Sequence, residues 1–193
     1  MILPIVSYGH RVLRKKCDPI KSTYKELHTL IDNMWETLYA ANGCGLAAPQ
    51  INLPIRLFLV DSLPVFAMMT EEDRSYFFDG DEGIKEVFIN AKITAESEEV
   101  WKDREGCLSI PSMTELVERP WSVSIEYLDH EFKKQKKTFS GLTARMIQHE
   151  VDHTEGILYF DYLTPARKTV IKSKLKKVSA GEVRVKYKMK FLK

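Results

Sequence analysis

Cysteine is scarce in this chain: Cys17, Cys44 and Cys107 are the whole set. Three is an odd and sparse number for a disulfide framework, which points away from a small secreted scaffold and toward a reducing, intracellular setting. Long apolar runs are missing as well. The N-terminal stretch "MILPIVSYGHRVLRKK" has six mostly apolar residues before polar and basic ones, short of both a signal-peptide core and a bilayer span. No membrane association is therefore expected, and a cytoplasmic location is the default. Internal repeats and low-complexity tracts are also lacking, which excludes a repeat array. At 193 residues, 44% hydrophobic and 29% charged, the chain is expected to fold as one soluble domain over 1–193.

The net charge of +2 conceals an uneven distribution. From Arg167 to Lys193 there are eleven Lys and Arg against the single acid Glu182, a net of +10, which leaves 18 basic and 26 acidic residues elsewhere, a net of −8. A basic tail on an acidic body suits nucleic acid or another polyanion, and it equally suits a solvated helix face and a charged sheet edge.

Periodicity predicts an amphipathic helix over Tyr24–Ala41, started by a Thr23/Glu26 capping box and ended by Asn42-Gly43, with Leu27, Leu30, Ile31, Met34, Leu38 and Tyr39 on one face. A glycine-bearing loop, "GCGLAAPQ" (43–50), follows it. Strands are expected in Pro54–Asp61 and Lys85–Ile93, separated by a long surface insertion at Ser62–Gly83. Thr114–Thr138 reads as a small antiparallel meander turning at Pro120 and near His130. A helix over Leu142–Thr154 has Ser140 as N-cap and Gly156 as stop. The tail, a basic extension over 166–193, gives a helix at Pro165–Val178 and a strand at Val183–Phe191, whose outward lysines and arginine discourage edge pairing. Strands and helices mix without βαβ alternation. The expected class is α+β, with small antiparallel sheets around a central helix.

That helix carries "QHEVDH" (148–153). His149 and His153, four apart, project from one face and can reach one metal ion. Glu150 sits about 100° round the helix, near enough to exchange a proton with water at that metal. Two histidines do not complete a tetrahedral site. Tyr159 stands where a third histidine of the H-E-x-x-H-x-x-G-x-x-H type would fall, and Glu182, the one late acid, lies in a stretch that does not read as helix. The remaining candidates are thiols: Cys107 in "EGCLSIP" (105–111), with Cys44 as competitor. A buried structural cysteine is the ordinary alternative for either.

Three segments, "GCGLAAPQ", "EGCLS" and "QHEVDH", resemble in order and spacing the signature motifs of peptide deformylases, and the similarity extends over roughly Leu3–Pro165. The resemblance implies a metal bound by Cys107, His149 and His153, with Glu150 as general acid/base. Gln50 and the backbone N–H of Leu108 would hold the oxyanion. Gly43, Cys44, Gly45 and Gly106 would line the substrate cleft, and Leu142 and Met146 an apolar pocket. It further implies removal of the formyl group from the formyl-methionine of new polypeptides, with Fe2+ in the cell and Zn2+ or Ni2+ in preparations. Glu105 and Arg119 resemble an ion pair behind the ligands. Three features depart from the usual pattern: Thr154 in place of a leucine, the length of the 62–83 segment, and a tail with both helix and strand. The tail charge makes the ribosome a candidate partner. A zinc endopeptidase and an inactive RNA-binding metalloprotein are the rival readings; the first lacks its third-ligand signatures, and the second has no need of Glu150.

Overall fold

The computed structural model describes residues 1–78 and 80–192; Asp79 of the expected insertion and Lys193 of the tail lie outside the described residues. In chain order the elements are β1 (Ile5–Val6), α1 (Leu27–Ala40), β2 (Gly45–Ala47), β3 (Leu57–Asp61), α2 (Leu63–Met68), α3 (Glu71–Phe77) and β4 (Lys85–Glu96). They continue with β5 (Val100–Cys107), β6 (Ile110–Pro120), β7 (Ser122–Leu128), β8 (Lys134–Ser140), α4 (Gly141–Glu155), α5 (Pro165–Ala180) and β9 (Met189–Lys190). The class is α+β.

Five antiparallel strands in the order β2-β3-β4-β7-β8 form the main sheet, and β5-β6 make a separate two-stranded sheet. Every residue of β3 is buried, as a central strand covered on both faces requires. On one face Leu57 and Leu59 meet Ile31, Met34 and Leu38 of α1. On the other, Phe58 stacks on Phe88 with ring centres 4.7 Å apart, and Ala144, Ile147 and Val151 of α4 close over them. Burying each large side chain of this kind contributes about 1.5–3 kcal/mol, so α4 is anchored by its apolar stripe, leaving its other faces for polar work.

Several expectations need correction. Helix α1 starts at Leu27, three residues after the expected Tyr24, because Glu26 sits at φ 58° as an uncapped N-cap and the Thr23/Glu26 capping box does not form. Tyr39 is exposed and donates its hydroxyl to Asp61 at 2.7 Å. The meander over Thr114–Thr138 is split between sheets: β6 pairs with β5, whereas β7 pairs with β4 and β8. Pro120 is the last residue of β6, and only Trp121 separates it from β7. The segment 62–83 is more ordered than its broken period suggested, with Thr70 capping α3 through Asp73 N–H and Phe78 fully buried. In the tail, Val183–Phe191 keeps the alternation of half-buried and exposed residues, yet only Met189–Lys190 form a ladder, parallel to β1, because β1 offers just two residues. Among the described residues no helix is long and apolar enough to cross a membrane.

Helix α4 opens at Gly141, φ +55°, where an added Cβ would meet Phe77 O at 2.0 Å. Both the left-handed backbone and the close approach of α3 require glycine there. Gly141→Ala is expected to lower stability by about 2–4 kcal/mol through strain and overpacking. Urea unfolding of the variant measures this, and a midpoint equal to that of the parent would show that the junction relaxes at no cost.

Candidate active site

The end of β5, the turn after β2 and one side of α4 meet at a cleft of ≈ 840 Å³. Helical spacing puts His149 and His153 on one side of α4, with ring centres 5.0 Å apart. A break in register between Gly106 and Cys107 precedes the last pair of the β5-β6 ladder, Cys107 with Ile110, and the thiol lies beside the two histidines. Cys107 Sγ lies 3.2 Å from His153 Nε2, and one ligand atom from each of Cys107, His149 and His153 lies within 4.8 Å of the others. Cys44, the competing thiol, lines the cleft but is not in that cluster; burial and then Glu150 push its pKa up.

Glu150 is 4% exposed, and its Oε2 has no hydrogen-bond partner, as is true of His153 Nδ1. Burial pushes the Glu150 carboxyl up to about 7, with His149 pulling against it. It lies flat on the backbone of β2: a Cβ on Gly45 would meet Glu150 Oε1 at 2.4 Å. The His153 pKa is lowered by burial and by His149, whereas that of His149 is raised, because Cys107 and Glu105 outweigh its burial. A thiolate and two imidazoles form a soft, three-donor set suited to a divalent transition metal, and the unpartnered carboxylate oxygen beside it fits a site that receives a further polar group.

Gln50 is fixed through its own loop. Its Oε1 accepts from Ala47 N–H at 2.8 Å, which leaves Nε2 directed at Cys107 Sγ (3.5 Å) and Ser109 Oγ (3.4 Å). Leu108 follows the thiol and packs on Gly43, where a Cβ would meet its Cδ1 at 2.8 Å. Gly106, Leu142 and Met146 also line the cleft, the latter two half-buried.

Behind the cluster lies a buried charge network. Glu105, 5% exposed, accepts from Arg119 Nε and Nη2 (both 2.9 Å), from Arg145 Nη1 (2.6 Å), and faces His149 Nδ1 at 3.1 Å. Burial pushes its carboxyl up, but Arg119 and His149 overcome that and hold it well below the usual carboxylate range. Arg119 also reaches Asp152 (2.7 Å) on α4. Arg145, which the sequence reading missed, carries further bonds to Val117 O and Trp101 O. Its spacing of four from His149 was the available signal. The Tyr187 hydroxyl, from the tail, donates to Leu108 O at 2.7 Å and was missed as well.

A buried H-E-x-x-H helix with a cysteine completing the donor cluster and an adjacent carboxylate defines a metal-dependent hydrolase site. The sequence matches the polypeptide deformylase family over residues 2–169. It is 48% identical over 194 residues to the peptide deformylase of Christiangramia forsetii, covering 99% of this chain and 96% of that one. It is 47% identical to that of Flavobacterium psychrophilum, covering 100% and 98%. The fold superposes on the peptide deformylase of Legionella pneumophila with TM-score 0.78 at 33% identity, covering 95% and 99%. It also superposes on a Met-Ala-Ser-bound class I type b peptide deformylase of Acinetobacter baumannii with TM-score 0.73 at 30% identity, covering 84% and 99%. The chain belongs to the polypeptide deformylase family, and it is an enzyme of that activity.

Glu105→Ala would leave Arg119 and Arg145 buried without their shared carboxylate and His149 without its orienting acceptor. A stability loss of about 3–5 kcal/mol and a ~10–100-fold loss of metal affinity are expected. Denaturation and competition with a chelator, followed by metal analysis, read the two effects; unchanged metal retention would refute the orienting role.

Proposed function

We propose that this enzyme hydrolyses the formyl amide of N-formylmethionyl polypeptides, with Cys107, His149 and His153 as metal ligands, Glu150 as general acid/base, and Gln50 and the Leu108 N–H as oxyanion donors. The observation that carries the assignment is the unpartnered oxygen of Glu150, buried against Gly45 and next to the three-donor cluster. Fe2+ is the proposed ion in the cell; the donor set accepts Zn2+ and Ni2+ as well. When bound, the ion supplies the Lewis acidity that lets water ionise near neutral pH.

The protein groups do the rest. Glu150, whose carboxyl is raised by burial, takes a proton from the attacking water and returns it to the departing amine, so that water and formyl amide become formate and a free N-terminus. Gln50, locked by Ala47, presents its amide protons before negative charge develops on the formyl oxygen, so little reorganisation is needed. The substrate backbone lies along Gly43, Cys44, Gly45 and Gly106; β2 is an edge strand of its sheet and has one side free to pair with an extended peptide. Leu142 and Met146 receive the methionine side chain. Met-Ala-Ser bound to the Acinetobacter baumannii relative is a product of this kind, which supports the reading.

Residues 1–193 would act as one cytoplasmic catalytic domain, and the basic tail as a ribosome contact. Ile171, Leu175 and Val178 of α5 are buried, so removing the helix would uncover core. Reversal of the exposed Lys172, Lys174 and Lys176 to Glu is the cleaner test: ribosome pelleting should fall about tenfold or more at low salt, and unchanged pelleting would refute the contact.

Glu150→Ala should reduce formate release from formyl-Met-Ala-Ser by ~10²–10⁴-fold with the metal retained. Gln50→Ala should reduce it by ~10²–10³-fold. Turnover of the metal-loaded Glu150→Ala enzyme within a few-fold of the parent would sink the assignment.

A further inference from the structure

The C-terminal tail does not end on a remote surface. Arg184, Val185, Lys186 and Tyr187 line the same cleft as the metal cluster. The segment is held at both ends and in the middle. Glu182 N–H bonds Lys177 O at 2.9 Å as the chain leaves α5, Tyr187 donates to Leu108 O at 2.7 Å, and Ile5 and Ser7 N–H bond Lys188 O and Lys190 O, each at 2.9 Å. Between these fixings, Val183, Val185 and Tyr187 turn inward while Arg184 and Lys186 are exposed.

The charges of the cleft are one-sided. Its acidic lining residues are Glu105 and Glu150, both buried. Its exposed charged residues are Arg104 of β5, Arg184 and Lys186, and none of the three forms an ion pair among the described residues. Arg145, the remaining cation, is spent on Glu105. A cleft with a buried reacting centre and an outer rim of unpaired cations attracts anions at the rim. In an extended substrate whose formyl group sits at the metal, the residues that reach the rim are those after the methionine.

We propose that residues 184–187 form a wall of the substrate cleft and that Arg184 and Lys186, with Arg104, favour formylated peptides carrying acidic side chains in the positions after methionine. This rests on the deformylase reading of the site and adds to it a specificity supplied by the tail. Tyr187, bound to the carbonyl of Leu108, is what ties that wall to the reacting centre.

The test uses the metal-loaded, full-length enzyme and three amidated peptides, formyl-Met-Glu-Glu, formyl-Met-Gln-Gln and formyl-Met-Lys-Lys, so that no terminal carboxylate contributes. The readout is the ratio of kcat/KM values, in which a general loss of activity cancels. The Glu/Gln ratio should be about three- to tenfold at low salt and approach unity near 0.5 M salt, where exposed charges are screened. In Arg184→Glu/Lys186→Glu it should fall below one and the Lys/Gln ratio should rise. Arg104→Glu, on a different element, should move both ratios the same way. Ratios unchanged by both charge reversals would overturn the proposal. Failure of all three peptides to release formate would instead overturn the deformylase reading beneath it.

Discussion

Glu105 is the point on which the structure of the site depends. One buried carboxylate binds Arg119 of β6 and Arg145 of α4, and faces His149, so it sits at the centre of the contacts that join the β5-β6 sheet to α4. Two guanidiniums and a carboxylate out of water are costly unless every proton and lone pair finds a partner. Here most do: Arg119 extends to Asp152, Arg145 to two backbone carbonyls, and the faces of Tyr162 and Trp101 cover the two guanidiniums at 4.5 and 4.2 Å. The same network faces His149, so the placing of that imidazole and the docking of the β5-β6 sheet on α4 are one problem with one solution.

Small residues solve a second problem, that of bringing the Glu150 carboxylate and the Leu108 side chain close to backbone. Gly45 lets Glu150 lie on β2, and Gly43 makes room for Leu108 against α1. The dry environment that results lifts the Glu150 carboxyl toward neutrality, the range in which a group both accepts and donates protons. Packing therefore sets the protonation chemistry. A more open loop after α1 would hydrate Glu150 and return it to ordinary acidity.

Much of this was legible in the sequence where the determinant is local. The helix carrying His149, Glu150 and His153 was readable from its spacing and from Gly156, because both depend on neighbours within a turn or two. Cys107 was one of two thiols on residue chemistry alone; the resemblance of "EGCLS" to a family motif favoured it over Cys44, and its place beside His149 and His153 is a matter of distant contacts. The split of the expected meander has the same origin, since the period of a strand says which residues face inward but not which strand lies beside it. Arg145 went unread because a lone arginine in a helix is ordinarily solvent-facing, and its partner sits 40 residues away. The Val183–Phe191 alternation was correct in burial and too generous in pairing: the inward side chains pack, but the backbone finds only β1 to bond.

The tail brings these levels together. Its alternation was first readable as an edge strand whose charges merely keep other chains away. Placed by α5 on one side and by β1 on the other, those charges instead border the cleft, and Tyr187 bonds the residue next to the thiol ligand candidate. Among the described residues, Arg184 and Lys186 form no ion pair. Their field is therefore directed into the approach of the substrate, where a cation is most effective in steering an anionic chain and least expensive to keep hydrated.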